Sequence, residues 1–126
     1  MSQVLIVESD AWLAESYAVI LQSAGHEVRQ AGSSEEAIEA IDQTPPDVLL
    51  LDENLRGAGG IELIHELRSY PDLASMPVIL CVQLTHEQLE PFRSSLKAYG
   101  ISEVLQKAEL KPDQLIKAVT YATAKN

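Results

Sequence analysis

Cysteine is nearly absent. Cys81 is the single one among 126 residues, so no internal disulfide framework can hold this chain. It lies inside the apolar stretch VILCV, where a buried, unreactive thiol is expected rather than a nucleophile. Long hydrophobic runs are also missing: every apolar stretch is only a few residues long, far short of the ~20 that a membrane-crossing helix needs. The opening MSQVLIVESD has no basic segment ahead of an apolar one and does not read as a secretion signal, so a cytoplasmic location is expected. Basic residues are scarce, with 9 Lys+Arg against 19 Asp+Glu and a net charge of −10. That balance argues against bulk electrostatic binding to nucleic acid or to anionic membrane. It suits a partner with a basic face, a site that gathers cations, or simple solubility. Aromatic residues make up 5% of the chain, and Trp12 and Tyr17, on the first predicted helix, read as packing groups rather than a stacking platform. The histidines, His26, His65 and His86, are scattered without metal-ligand spacing and read as surface or packing residues. No Ser/His/Asp or Cys/His constellation is visible. No repeat, low-complexity tract or linker interrupts the chain, so residues 1–126 are expected to form one domain, with no DNA-binding domain after Asn126.

What is present is a rhythm of short apolar runs: VLIV at 4–7, VLLL at 48–51 and VILCV at 78–82, with weaker runs EVRQA at 27–31 and SEVLQ at 102–106. Unbroken apolar strands of this length suit a parallel sheet covered on both faces. Helical patterns lie between them. Leu13, Tyr17, Ile20, Leu21 and Ala24 form one stripe, closed by Gly25. Ser33 and Glu36 stand at capping-box spacing ahead of a second. Ile61, Leu63, Ile64 and Leu67 line a third. Leu89, Phe92, Leu96 and Tyr99 line a fourth, closed by Gly100. Pro112 leads a fifth through Leu115, Val119 and Ala122. Pro91 interrupts the fourth pattern, so that helix either begins near Glu90 after a long loop or begins at Thr85 and kinks. The order is (βα) five times over, which predicts an α/β, doubly wound single domain with a central five-stranded parallel sheet.

Sites in such sheets form beyond the carboxyl ends of the strands. Reading off those ends gives Glu8-Ser9-Asp10, Asp52, Val82-Gln83 and Lys107. Crowded carboxylates repel one another unless a cation or a proton relieves them. Magnesium suits such oxygen donors, since it takes one or two carboxylates together with phosphate oxygens. A carboxylate beside it can attack phosphorus to give an aspartyl phosphate, and a lysine would offset charge on the phosphoryl oxygens. The plainer reading is that Lys107 merely pairs with Asp52; both readings need the same geometry. The glycine-rich RGAGG at 56–60 lacks dinucleotide spacing and follows the third strand, and the acidic first turn would repel a pyrophosphate.

Taken together, VLIVESD, PDVLLLDENLRGAGGIELI, MPVILCVQ and ISEVLQKA resemble a response-regulator receiver domain of the CheY-like type, over essentially the whole chain. The resemblance implies a flavodoxin-like sheet of order 2-1-3-4-5. It implies Asp52 as phosphoacceptor, Lys107 as the lysine of the last strand, and Glu8 with the backbone carbonyl of Asn54 as ligands, beside Asp52, of Mg²⁺. The implied function is to accept a phosphoryl group from a histidine kinase or phosphotransfer protein in a two-component or phosphorelay pathway. The response would be read by a partner on the helix 4–strand 5–helix 5 face, and this would be signalling rather than turnover catalysis. Mixed charges there, Arg93, Lys97, Glu103 and Lys117, would also permit a homodimer.

The departures from the family pattern are specific. Ser9 replaces the second acidic ligand, which should weaken metal affinity, with Asp10 as a candidate substitute. Val82 replaces the switch hydroxyl, removing a hydrogen bond to a charged group worth roughly 1.5–3 kcal/mol. Val104 replaces the aromatic switch partner, and Ala108 replaces the proline after the lysine, often associated with a cis bond. An alternative is therefore a degenerate pseudo-receiver, an interaction module that works without phosphorylation. An unrelated α/β enzyme or small-ligand binder is the third reading.

Overall fold

The computed structural model describes residues 2–55 and 59–124. The Arg56-Gly57-Ala58 part of the glycine-rich stretch therefore lies outside the described residues. Five strands, β1 (Gln3–Val7), β2 (Glu27–Ala31), β3 (Val48–Asp52), β4 (Val78–Val82) and β5 (Ile101–Gln106), pair in parallel in the order β2-β1-β3-β4-β5. The helices are α1 (Ala11–Ser23), α2 (Ser34–Gln43), α3 (Gly60–Arg68), α4 (His86–Leu89), α5 (Arg93–Ala98) and α6 (Pro112–Ala124).

Period-two alternation within buried strands divides the core. Leu5, Val7, Leu49, Leu51 and Leu80 face one way, against α2, α3 and the α4–α5 region. Val4, Ile6, Leu50, Ile79 and Cys81 face the other, against α1 and α6. Burial pushes the Cys81 thiol up to about 12, in keeping with the inert role expected of it. Among the described residues, no helix is long and apolar enough to cross a membrane.

Gly25 and Gly100 end their helices in the left-handed region, at φ of 92° and 80°, where a side chain would be strained. Ser33 caps α2 by accepting the Glu36 N–H at 3.2 Å. The Glu36 carboxylate, however, accepts the Gly32 N–H at 3.1 Å, so the expected box closes one residue early.

The fourth helical segment follows the second of its two predicted forms. It begins at Thr85, whose side chain accepts the Gln88 N–H while Gln88 returns its own oxygen to the Thr85 N–H. It then breaks into a 3₁₀ turn at Glu90–Phe92 before resuming as α5. Pro91 has no amide hydrogen to continue the α-helical ladder. Two aromatic expectations change. Tyr17 is buried, but Trp12 is 84% exposed, and Phe92, one of the fourth stripe, is 54% exposed. Thr85→Ala removes half of a closed capping box, so amide exchange over residues 86–89 should accelerate in step with a loss of about 1 kcal/mol. Unchanged exchange there would show that packing of Leu89, not the cap, holds the turn.

Candidate functional site

The register of the sheet assembles the site. Val7 stands opposite Leu51 in the β1–β3 pair, so the residues that follow, Glu8 and Asp52, emerge side by side at the carboxyl edge. Both are only 4% exposed. Lys107 leaves the end of β5, two strands from Asp52 and so roughly 10 Å away by ordinary inter-strand spacing. Its long stem reaches back over β4. Its Nζ lies 3.0 Å from Glu8 Oε1 and 3.2 Å from Asp52 Oδ2. One ammonium from near the chain's end thus sits between a carboxylate from its start and one from its middle. Around them is an open cavity of about 760 Å³, lined also by Ser9, Asp10, Asn54 and Gln83.

The remaining carboxylate oxygens meet the backbone. Glu8 Oε2 accepts the Asp10 N–H at 3.1 Å, and Asp52 Oδ1 accepts the Asn54 N–H at 3.3 Å. Burial, and then the neighbouring Asp52 carboxylate, raise the Glu8 pKa against the opposing pull of Lys107. For Lys107 burial works towards a lower pKa, but the hydrogen bond to Glu8 and the charges of both carboxylates outweigh it, and the net direction is up. The ammonium is therefore firmly charged at neutral pH.

Asp10 also has a structural role. Its Oδ1 accepts the N–H groups of Trp12 at 3.0 Å and Leu13 at 3.2 Å, so the residue proposed to replace the missing acidic ligand is the N-cap of α1. Among the described residues no three His, Cys, Asp or Glu side chains gather closely enough to hold a metal ion by themselves. The donor set is nevertheless of the right kind for Mg²⁺. Glu8 and Asp52 offer hard oxygens, Asn54 lines the same cavity, and Mg²⁺ commonly takes few protein ligands.

The two valines at the expected switch positions lie on one side of the sheet. Val82 is 1% exposed and Val104 partly buried, and both pack in the same apolar cluster as Leu84 and Tyr99. After Lys107 the chain carries Ala108 in a 3₁₀ turn, and every described peptide bond is trans.

Three features escaped the sequence reading. Gln106 Nε2 donates to the Leu84 carbonyl at 2.9 Å, tying β5 to the loop after β4. The Arg68 guanidinium donates to the carbonyls of Tyr99, Gly100 and Leu73. The Tyr99 hydroxyl lies 2.6 Å from His65 Nε2. The last two fasten α3 to the end of α5. Only the Gln106 amide had a local signal, as a polar residue where the strand meets the site; the others are long-range pairings without sequence spacing.

Residues 4–120 match the family described as the response regulator receiver domain. The chain belongs to that family. The receiver is 33% identical over 112 residues to a response regulator receiver protein of Anaeromyxobacter sp., covering 89% of this chain and 45% of that protein. It is 36% identical over 77 residues to the phosphate regulon transcriptional regulatory protein PhoB of Pseudomonas aeruginosa, covering 61% of this chain and 34% of that one. A putative response regulator from Chloroflexus aurantiacus superposes with a TM-score of 0.86 at 29% identity, covering 98% of both chains. The chain thus spans a third to a half of the length of these two curated relatives. Receivers are signalling modules of two-component systems, and they work with histidine kinases and downstream effectors.

Proposed function

We propose that residues 1–126 act as one receiver domain that takes a phosphoryl group on Asp52 from a histidine kinase or phosphotransfer protein in the cytoplasm. The observation that carries this reading is the Lys107 ammonium held within 3.2 Å of both buried carboxylates at the mouth of an open cavity. An Asp52 oxygen attacks the phosphorus of an N-phosphohistidine. The P–N bond breaks, and the leaving ring nitrogen keeps the bonding pair and takes up a proton. Lys107 offsets negative charge on the transferring oxygens. Held by Glu8, Asp52 and the Asn54 carbonyl, Mg²⁺ would neutralise charge on the phosphoryl group. Ser9 in place of a carboxylate leaves one negative ligand fewer, so its affinity should be low. Hydrolysis of the aspartyl phosphate returns Asp52.

The output partner, or a second copy of the chain, is proposed to read the face built from α4, α5, β5 and α6, where Arg93, Lys97, Glu103 and Lys117 mix both signs. With valines at 82 and 104 the hydroxyl–aromatic relay is lacking, which supports the second reading, an interaction module that binds its partner unmodified. Intact mass after incubation with a small-molecule phosphodonor and Mg²⁺ separates the two. A labile gain of one phosphoryl group, lost in Asp52→Asn, is expected. No gain by the folded protein in excess Mg²⁺ would overturn the phosphoacceptor reading in favour of the module.

A further inference from the structure

A second cavity, of about 320 Å³, lies between the end of β4, α3 and the broken fourth helix. Leu84 and the switch-position Val82 form part of its apolar wall, and Glu53 is the one acidic residue lining it among the described residues. Glu53 follows Asp52 directly but does not line the phosphoacceptor cavity. Two large apolar side chains are left partly in water at the lining: Phe92, 54% exposed, and Ile61, 38% exposed. Phe92 is there because Pro91 forces the 3₁₀ turn and takes it out of the stripe that should have packed inward. Its ring and Ile61 would gain by being covered.

We propose that this cavity binds a small organic cation, an aromatic or branched apolar body bearing an ammonium group. The volume sits at the low end of small-ligand pockets, roughly 300–1,000 Å³, which admits one ring rather than a fused system. The wall selects for an apolar body, and Tyr99 and Phe92 offer ring faces and edges to it. The charge is selected by Glu53. Its carboxylate accepts the Gln83 N–H at 3.5 Å, the outer limit of a hydrogen bond, and a carboxylate has about four acceptor sites. An anion would meet this carboxylate and a chain of net charge −10, whereas an ammonium complements both. Among the described residues the site shares no lining residue with the phosphoacceptor cavity, so the proposal does not rest on Asp52 accepting a phosphoryl group.

The test is an amide NMR titration of the isotope-labelled protein with phenethylammonium, and with phenethyl alcohol as its neutral counterpart. Saturable shifts are expected at Leu84, Leu89, Phe92 and Ser95, with the alcohol about tenfold weaker, as befits loss of one charge-assisted hydrogen bond. Glu53→Gln should bring the cation down to the level of the alcohol. Ser95 is exposed on the cavity's edge, so Ser95→Trp should keep the fold, checked by circular dichroism, while blocking the space and cutting affinity by about tenfold or more. Equal affinity for cation and alcohol, shifts scattered over the acidic surface, or indifference to Ser95→Trp in a folded protein would each overturn the proposal.

Discussion

Lys107→Met is expected to lower stability at neutral pH by about 2–3 kcal/mol, and to make the protein relatively more stable in mild acid than at neutral pH. Methionine keeps most of the unbranched stem and so its packing; what is removed is the charge. Breaking a buried ion pair by removing one partner costs roughly 3–5 kcal/mol, and the open cavity, which lets water reach the carboxylates, brings that down. The pH dependence follows from the two raised pKa values. In the wild type, Lys107 lies above its ordinary value of 10.5, so its contribution is complete below that pH and is lost only as pH rises through the folded value. Glu8 is also raised, above 4.5, by burial first and Asp52 second. A carboxyl raised on folding favours the native state below its unfolded value, and that advantage fades as pH rises through the folded one. Without the ammonium, only the Asp10 N–H still opposes burial and Asp52, so Glu8 should climb further and the variant should recover stability as pH falls toward the ordinary carboxylate range. Denaturant titrations of both proteins from mild acid to neutral pH measure this. Parallel profiles would mean that Lys107 contributes little to relieving the carboxylates. If Glu8 and Asp52 hold Mg²⁺, the ion should also stabilise Lys107→Met more than the wild type, because it would replace the missing positive charge.

Gly60→Ala is expected to cost about 2 kcal/mol and to depress phosphoryl acceptance well beyond what the lost stability explains. Gly60 opens α3 directly beneath the end of β3. A Cβ placed there would lie 2.7 Å from the Asp52 carbonyl oxygen and 2.8 Å from the Glu53 Cα. Both are backbone atoms of the proposed acceptor segment, which no side-chain rotation can clear. The Gly60 N–H also donates to the Glu53 carbonyl at 3.0 Å, so moving α3 away would break the bond that docks it. The strain therefore falls on Asp52, whose oxygen must stay within reach of Lys107. Comparing denaturation midpoints with phosphorylation rates separates the two effects. A variant that is destabilised yet accepts phosphate at the wild-type rate would show that the strain is absorbed in α3 and not at the acceptor.

Much of this molecule was legible in its residues because local physics decided it. The runs at Val4–Val7, Val48–Leu51 and Val78–Val82 have apolar side chains on both faces of the pleat, which only a sheet covered on both sides accommodates. Gly25 and Gly100 stop helices at positive φ, and Pro112 starts one. Asp52 was conspicuous as a charge closing a fully apolar strand. The break after Leu89 was foreseeable from Pro91 in kind but not in form. The choice between a late start and a kink depended on Thr85 and Gln88 closing a capping box.

Composition and order alone, then, determined a five-strand α/β domain with its polar residues at one edge, since side-chain periodicity and connection handedness leave few other arrangements, and its motifs together marked it as similar to a receiver. Only the tertiary structure decided what those residues do to one another. Parallel register set Glu8 beside Asp52, and the reach of Lys107 across β4 set the ammonium between them. Asp10 turned out to accept two backbone amides on one oxygen at the start of α1, a cap that no spacing distinguishes from a residue without that role. Phe92, 54% exposed, shows the same limit from the apolar side. A helical stripe says which residues share a face, but whether that face meets the core depends on the axis of the helix, and in the fourth segment one proline reset it.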